Sequence, residues 1–163
     1  MYYVIALLVF AACAEPPSAP RVRLVVADGS PVLSEYEEAP QAWSVLGFDI
    51  ALDDGTTERE CPRRWYEMAD VDCQITITIV RGYVLERYGS NAVSDLGLRG
   101  VFIDFRLTEY ADLMSAMAHE VGHILLDTSR HTRGGIMGGQ GWRMFAPWPD
   151  KQLACETIHI CVE

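Results

Sequence analysis

Positive charge is scarce in this chain: 13 Lys and Arg stand against 23 Asp and Glu, a formal net charge of −10 over 163 residues. Nucleic acid is held by neutralising its phosphates with Lys and Arg, so no nucleic-acid partner is expected. Most of the carboxylates simply solvate the surface. Internal repeats and low-complexity tracts are also missing, which leaves no basis for an array or a disordered tail. No CxxC pair occurs, so a cysteine-based zinc site is disfavoured. What is present suits one domain: half of the residues are apolar, enough for a single core.

A long apolar run is lacking too. Met1 to Ala14 carries no charged residue, but it falls short of the ~20 residues that span a bilayer. Its length suits the apolar stretch of a secretory signal. Within it, Phe10-Ala11-Ala12-Cys13 resembles a bacterial lipoprotein signal, in which a Cys after small residues is lipidated. That resemblance implies a signal over 1–13, a proline-rich tether over 14–20, a folded domain over 21–163 and an envelope protein anchored in the membrane at Cys13. An ordinary cleaved signal, giving a secreted protein, is the alternative. Setting Cys13 aside leaves Cys61, Cys73, Cys155 and Cys161, an even set compatible with two disulfides. Cys61–Cys73 and Cys155–Cys161 would each close a local loop and are the expected pairs.

Several segments have readable periodicity. Arg21–Ala27 alternates and ends at Asp28-Gly29, as a strand does before a turn. Pro31–Leu46 is mixed and reads as a helix starting or kinking at Pro40. Phe48–Leu52 is a second strand, and Thr56–Asp72 a loop. Gln74–Val80 is the clearest strand, with Ile75, Ile77 and Ile79 on one face and Thr76 and Thr78 on the other. Tyr83–Leu98 suggests a short helix and an edge strand. Val101–Arg106 is a further strand, with Val101, Ile103 and Phe105 facing one way. Thr108 to about Leu126 is the longest helical pattern, with Thr108 as N-cap, Glu109 and Asp112 in the positive first turn, and Leu113, Met117, Val121, Ile124 and Leu125 on the apolar stripe. Pro147–Ile158 forms a last helix, started by Pro149 and Asp150. This order suggests an α+β fold with one twisted sheet covered by helices.

The chemistry concentrates in His119-Glu120-Val121-Gly122-His123. Histidines four apart project from one helix face, one turn apart, and can share a Zn²⁺ at ~2.0–2.1 Å. Glu120 lies beside them, too short and badly aimed to be a good ligand. It can instead take a proton from a water acidified by the metal and return it to a leaving amine. A catalytic zinc generally has three protein ligands and one open position. His131 is the expected third; Asp127, whose helical spacing would keep it on the histidine face, is the main rival, and His159 a more distant one. Met137 follows in a glycine-rich stretch and, taken by itself, reads as ordinary packing.

Together His119, Glu120, His123, His131 and Met137 resemble the metzincins, zinc peptidases with an extended histidine motif and a methionine turn. The surrounding pattern looks most like the small matrixin-type members. The resemblance implies a mixed sheet with a long active-site helix, a methionine turn, a C-terminal helix and a peptide substrate extended in a cleft. One zinc ion is implied, while calcium is left open; a monomer is the simplest expectation. The register departs from that family: the glycine expected three residues after the second histidine is Leu126, the ligand expected six after it is Ser129, and His131 comes eight after. A zinc-dependent endopeptidase is therefore the leading expectation, and a zinc-stabilised but inactive envelope binding protein the alternative.

Overall fold

The computed structural model describes residues 20–27, 29–53, 64–67, 72–81, 85, 89–107, 109–139, 141 and 143–162. The signal and tether over 1–13 and 14–20, Cys13, Cys61, Tyr83 and Thr108 all lie outside them or touch them only at Pro20.

Five strands form one sheet: β1 (Arg21–Val26), β2 (Asp49–Asp53), β3 (Asp72–Val80), β4 (Ala92–Asp95) and β5 (Gly100–Asp104). Their order is β2-β1-β3-β5-β4. The first four positions are parallel neighbours, and β4 alone runs antiparallel, along β5. The result is a mixed α/β architecture with a twisted sheet, as the element order implied.

Only one face of this sheet carries the core, which explains the alternation in its parallel strands. Val22 and Leu24 of β1 and Cys73, Ile75 and Ile77 of β3 are fully buried, while Gln74, Thr76 and Thr78 are half-buried on the other side. That second face also holds ion pairs, Arg21 Nε to Asp72 at 2.6 Å and Arg23 to Asp49 at 3.2 Å. Val101 and Ile103 extend the buried face, but β5 ends at Asp104 and Phe105 turns out to solvent. The expectation that Phe105 faces the core is thus corrected: a strand alternates only as long as its ladder lasts.

The covering layer is helical. A single α-turn, α1 (Glu35–Glu38), continues as a 3₁₀ helix over Ala39–Leu46. Pro40 does not start this helix; it falls at the second residue of the 3₁₀ part, where a missing N–H costs least. The long helix α2 (Tyr110–Leu125) packs on this segment and on β4 and β5. Leu113, Met117, Val121, Ile124 and Leu125 are all buried, with Met114 and Ala118 widening the stripe. The N-cap position is Glu109, extended and without a side-chain cap bond, so the proposed role of Thr108 is displaced by one residue. A last helix, α3 (Trp148–Ile158), follows Pro147. Cys155 and Cys161 form a disulfide that closes the chain past its end, and Cys73 is itself disulfide-bonded. Within the segment expected to be a loop before β3, a 3₁₀ turn at Trp65–Glu67 inserts Trp65 fully into the core against Phe48, rings 5.6 Å apart. No helix among the described residues is long and apolar enough to cross a membrane.

Candidate metal centre

The motif histidines occupy the last two turns of α2. His119 is half-buried and His123 buried, as the helix passes from the cleft into the core. Beyond the helix the chain reverses and returns His131 to the same place. One ligand atom from each of the three lies within 4.8 Å of the others. The His119 and His123 Nε2 atoms are 3.1 Å apart, and those of His119 and His131 are 3.2 Å apart.

Two backbone carbonyls decide which nitrogens face inward. His119 Nδ1 is 2.8 Å from the Ile136 carbonyl and His123 Nδ1 is 2.7 Å from the Thr128 carbonyl. A carbonyl can only accept, so each Nδ1 carries the proton and each Nε2 presents a lone pair. Lone pairs aimed at each other across 3.1 Å repel unless a cation stands between them. Three nitrogens at ~2.0–2.1 Å from one tetrahedral ion would be about 3.3 Å apart. The observed spacing fits that set, and the carbonyls supply the outer partners that such imidazoles use. The donors present therefore fit zinc.

Electrostatics favours the same state. Burial pushes the His123 imidazole down to about 4, opposed by the Thr128 hydrogen bond and aided weakly by His119 and His131. At neutral pH it is uncharged, the form that can ligate.

Glu120 is 8% exposed and makes no hydrogen bond or ion pair among the described residues. It borders two adjoining hollows of about 520 and 440 Å³, each also lined by Ser90, Ala92 and His119. They form the two arms of one cleft that meet at His119 and Glu120, with His123 and His131 on the second arm. One arm is walled by Leu107, Asp112 and Ser115, the other by Val93, Leu96 and His131. β4 forms a rim along both and is the edge strand of the sheet.

Asp127 is not part of the cluster. The helix stops at Leu125, Asp127 takes φ +46°, and its carboxylate pairs with Arg99 at 2.9 Å. Its expected place on the histidine face depended on a helix that does not extend that far. His159 caps the end of α3 and is likewise outside the cluster.

Met137 is fully buried beneath the site helix, its Sδ so close to Gly122 that an added Cβ there would approach to 2.6 Å. Trp43 completes this floor, and its Nε1 donates to the Ala118 carbonyl at 2.8 Å. Asp150, wholly buried, accepts from Ile136 N at 2.7 Å, Met137 N at 3.2 Å and the Thr132 hydroxyl at 2.8 Å. It therefore ties the start of α3 to the loop that holds His131 and the His119 acceptor. Neither Trp43 nor the role of Asp150 was evident from sequence, because most of their hydrogen-bond partners are backbone atoms, which leave no trace in residue identity. Asp150 was visible only as a helix-start residue.

No protein-family model matches the chain, and no curated protein matches it in sequence. Among solved structures it is similar to the crystal structure of a zinc-dependent peptidase from Methanocorpusculum labreanum (strain Z), at 15% identity and a TM-score of 0.37. The match covers 81% of this chain and 91% of that one.

Proposed function

We propose that this chain is a zinc-dependent endopeptidase. His119, His123 and His131 hold the ion and Glu120 acts as general base and then acid. The observation that carries the reading is the convergence of three imidazoles beside a buried glutamate that has no hydrogen-bond or ion-pair partner among the described residues and borders two adjoining hollows. Bound there, zinc supplies Lewis acidity, polarising a carbonyl and acidifying water.

The remaining work falls to the chain itself. Glu120 has no competing donor among the described residues, so its carboxylate can take a proton from the attacking water and pass it to the departing amine. As the edge strand among the described residues, β4 offers backbone donors and acceptors to an extended peptide lying in the cleft. Such pairing recognises main chain, which every peptide has, and leaves side-chain preference to the two arms. The cluster is open to solvent on its His131 side, as a chain cut internally requires. Export and attachment to the envelope through a lipidated Cys13 belong to the same proposal, with a monomeric catalytic domain over 21–163.

Glu120→Gln tests this directly. The variant should retain one zinc per chain with wild-type affinity while its cleavage of a broad peptide library falls by at least about 100-fold. Equal cleavage by the two proteins would sink the assignment. A wild type that holds zinc and cleaves nothing would point to a zinc-stabilised binding module instead.

A further inference from the structure

The exit of α2 rests on two residues that occupy the left-handed region without being glycine, Asp127 at φ +46° and Arg99 at φ +50°. Asp127 follows the helix C-cap Leu126. Its N–H donates to the Ile124 carbonyl at 3.2 Å, and the Thr128 N–H donates to the His123 carbonyl at 3.1 Å. That pair of bonds is a Schellman ending, whose left-handed position is normally glycine. L side chains are disfavoured there, although aspartate tolerates it better than most.

The ending also has a chemical consequence. By reversing the chain at Asp127 it brings the Thr128 carbonyl back over the helix, 2.7 Å from His123 Nδ1. The same residue therefore closes the helix and orients one of the three imidazoles. It also sets the direction in which Ser129 and Arg130 leave toward His131.

Arg99 meets Asp127 from the opposite wall. It ends the turn between β4 and β5, a turn fixed by Asp95 Oδ1, which accepts from the N–H groups of Gly97 and Leu98 at 2.9 Å each. Its own carbonyl accepts from Thr76 N at 3.0 Å, within β3. The Arg99 side chain is 9% exposed, and Nη1 lies 2.9 Å from Asp127 Oδ1. A guanidinium on a residue whose carbonyl is bonded to β3 is a fixed partner for the Asp127 carboxylate.

We propose that Arg99 is a positioning residue for the metal centre. Through this ion pair it holds Asp127 in the left-handed conformation that glycine would take unaided, and so fixes both the His123 acceptor and the departure of the His131 loop. The longer interval between the second and third histidines is then accommodated by a pinned aspartate in place of a glycine turn. This inference rests on the reading that the three histidines hold zinc.

A double-mutant cycle tests it, with zinc affinity measured by chelator competition and site geometry followed by the visible spectrum of the Co²⁺ form. Arg99→Gln should weaken zinc binding by about tenfold, the lower end for lost outer-sphere support, and shift the Co²⁺ bands. In an Asp127→Gly background the same change should move affinity by less than about twofold, because glycine needs no tether at this φ. An unchanged affinity in Arg99→Gln, or an equal loss in both backgrounds, would overturn the proposal. Should Arg99→Gln fail to fold, the double variant decides: zinc binding within about twofold of Asp127→Gly supports the positioning role, and failure to fold or to bind overturns it. A wild-type protein that binds no zinc would instead refute the metal centre itself.

Discussion

Replacing Gly122 by alanine sets two effects of opposite sign against each other inside the site helix. Alanine in a helix interior is favoured over glycine by about 1 kcal/mol. Here, however, the new Cβ would lie 2.4 Å from Trp43 Cζ2 and 2.6 Å from Met137 Sδ. Met137 can swing its thioether, but Trp43 is fully buried and its Nε1 is bonded to the Ala118 carbonyl, so the indole cannot retreat freely. Overpacking of this kind costs about 1–3 kcal/mol, and a rigid neighbour places it near the upper end. The packing loss therefore wins, and Gly122→Ala should be destabilised by about 2 kcal/mol, a fall in Tm of roughly 5–8 °C at this size. Thermal unfolding in excess chelator removes metal binding from the comparison. Trp43→Phe, which deletes the clashing ring, should recover part of the loss in the alanine background, a non-additivity expected of touching residues. A Gly122→Ala protein as stable as wild type would show that the helix does not press on Trp43 and Met137 as described.

Two further predictions concern protons and the buried carboxylate. His123 is held down to about 4 when folded, against about 6.5 in an unfolded chain, so the unfolded state binds more protons between those values. Stability of the metal-free protein should therefore be unaffected by this group above pH ~6.5 and decline as pH falls toward 4, by at most on the order of 3 kcal/mol. Denaturant titrations at several pH values, compared with His123→Gln, isolate the effect, and parallel curves for the two proteins would contradict it. Asp150→Asn should destabilise by about 3 kcal/mol, since an amide N–H₂ would face buried N–H donors where a carboxylate oxygen now accepts. Because the Ile136 carbonyl that supports His119 lies in the same loop, zinc affinity should also fall by about tenfold. Retained affinity in a folded Asp150→Asn protein would show that the loop holds its shape without that tie.

The parts of this molecule legible in sequence are those whose determinants are local. Ile75 and Ile77 alternate with threonines because β3 has one covered face, so its pleat can be read from residue type. The imidazoles of His119 and His123 share a face because four residues are close to one helical turn, whatever surrounds the helix. Cys155 and Cys161 pair across six positions, within reach of one local loop. Thr108 as cap and Phe105 as core were misread for the complementary reason. Where an element stops is set by the last available partner, and that partner belongs to another part of the chain.

By itself, then, the sequence determined an α+β chain with a sheet, a long amphipathic helix and a two-histidine, one-glutamate face upon it. Tertiary structure decided the rest: the strand order that leaves β4 beside the cleft, and which of Asp127 and His131 lies next to the other two histidines. Both remaining candidates lie past the end of α2, where spacing no longer dictates direction. Asp127 is turned away by its own left-handed backbone and by Arg99, a partner 28 residues distant in the chain. The reversed chain then brings His131 to within 3.2 Å of His119. A helix carries its geometry in its spacing, but a turn takes its direction from what it is tied to.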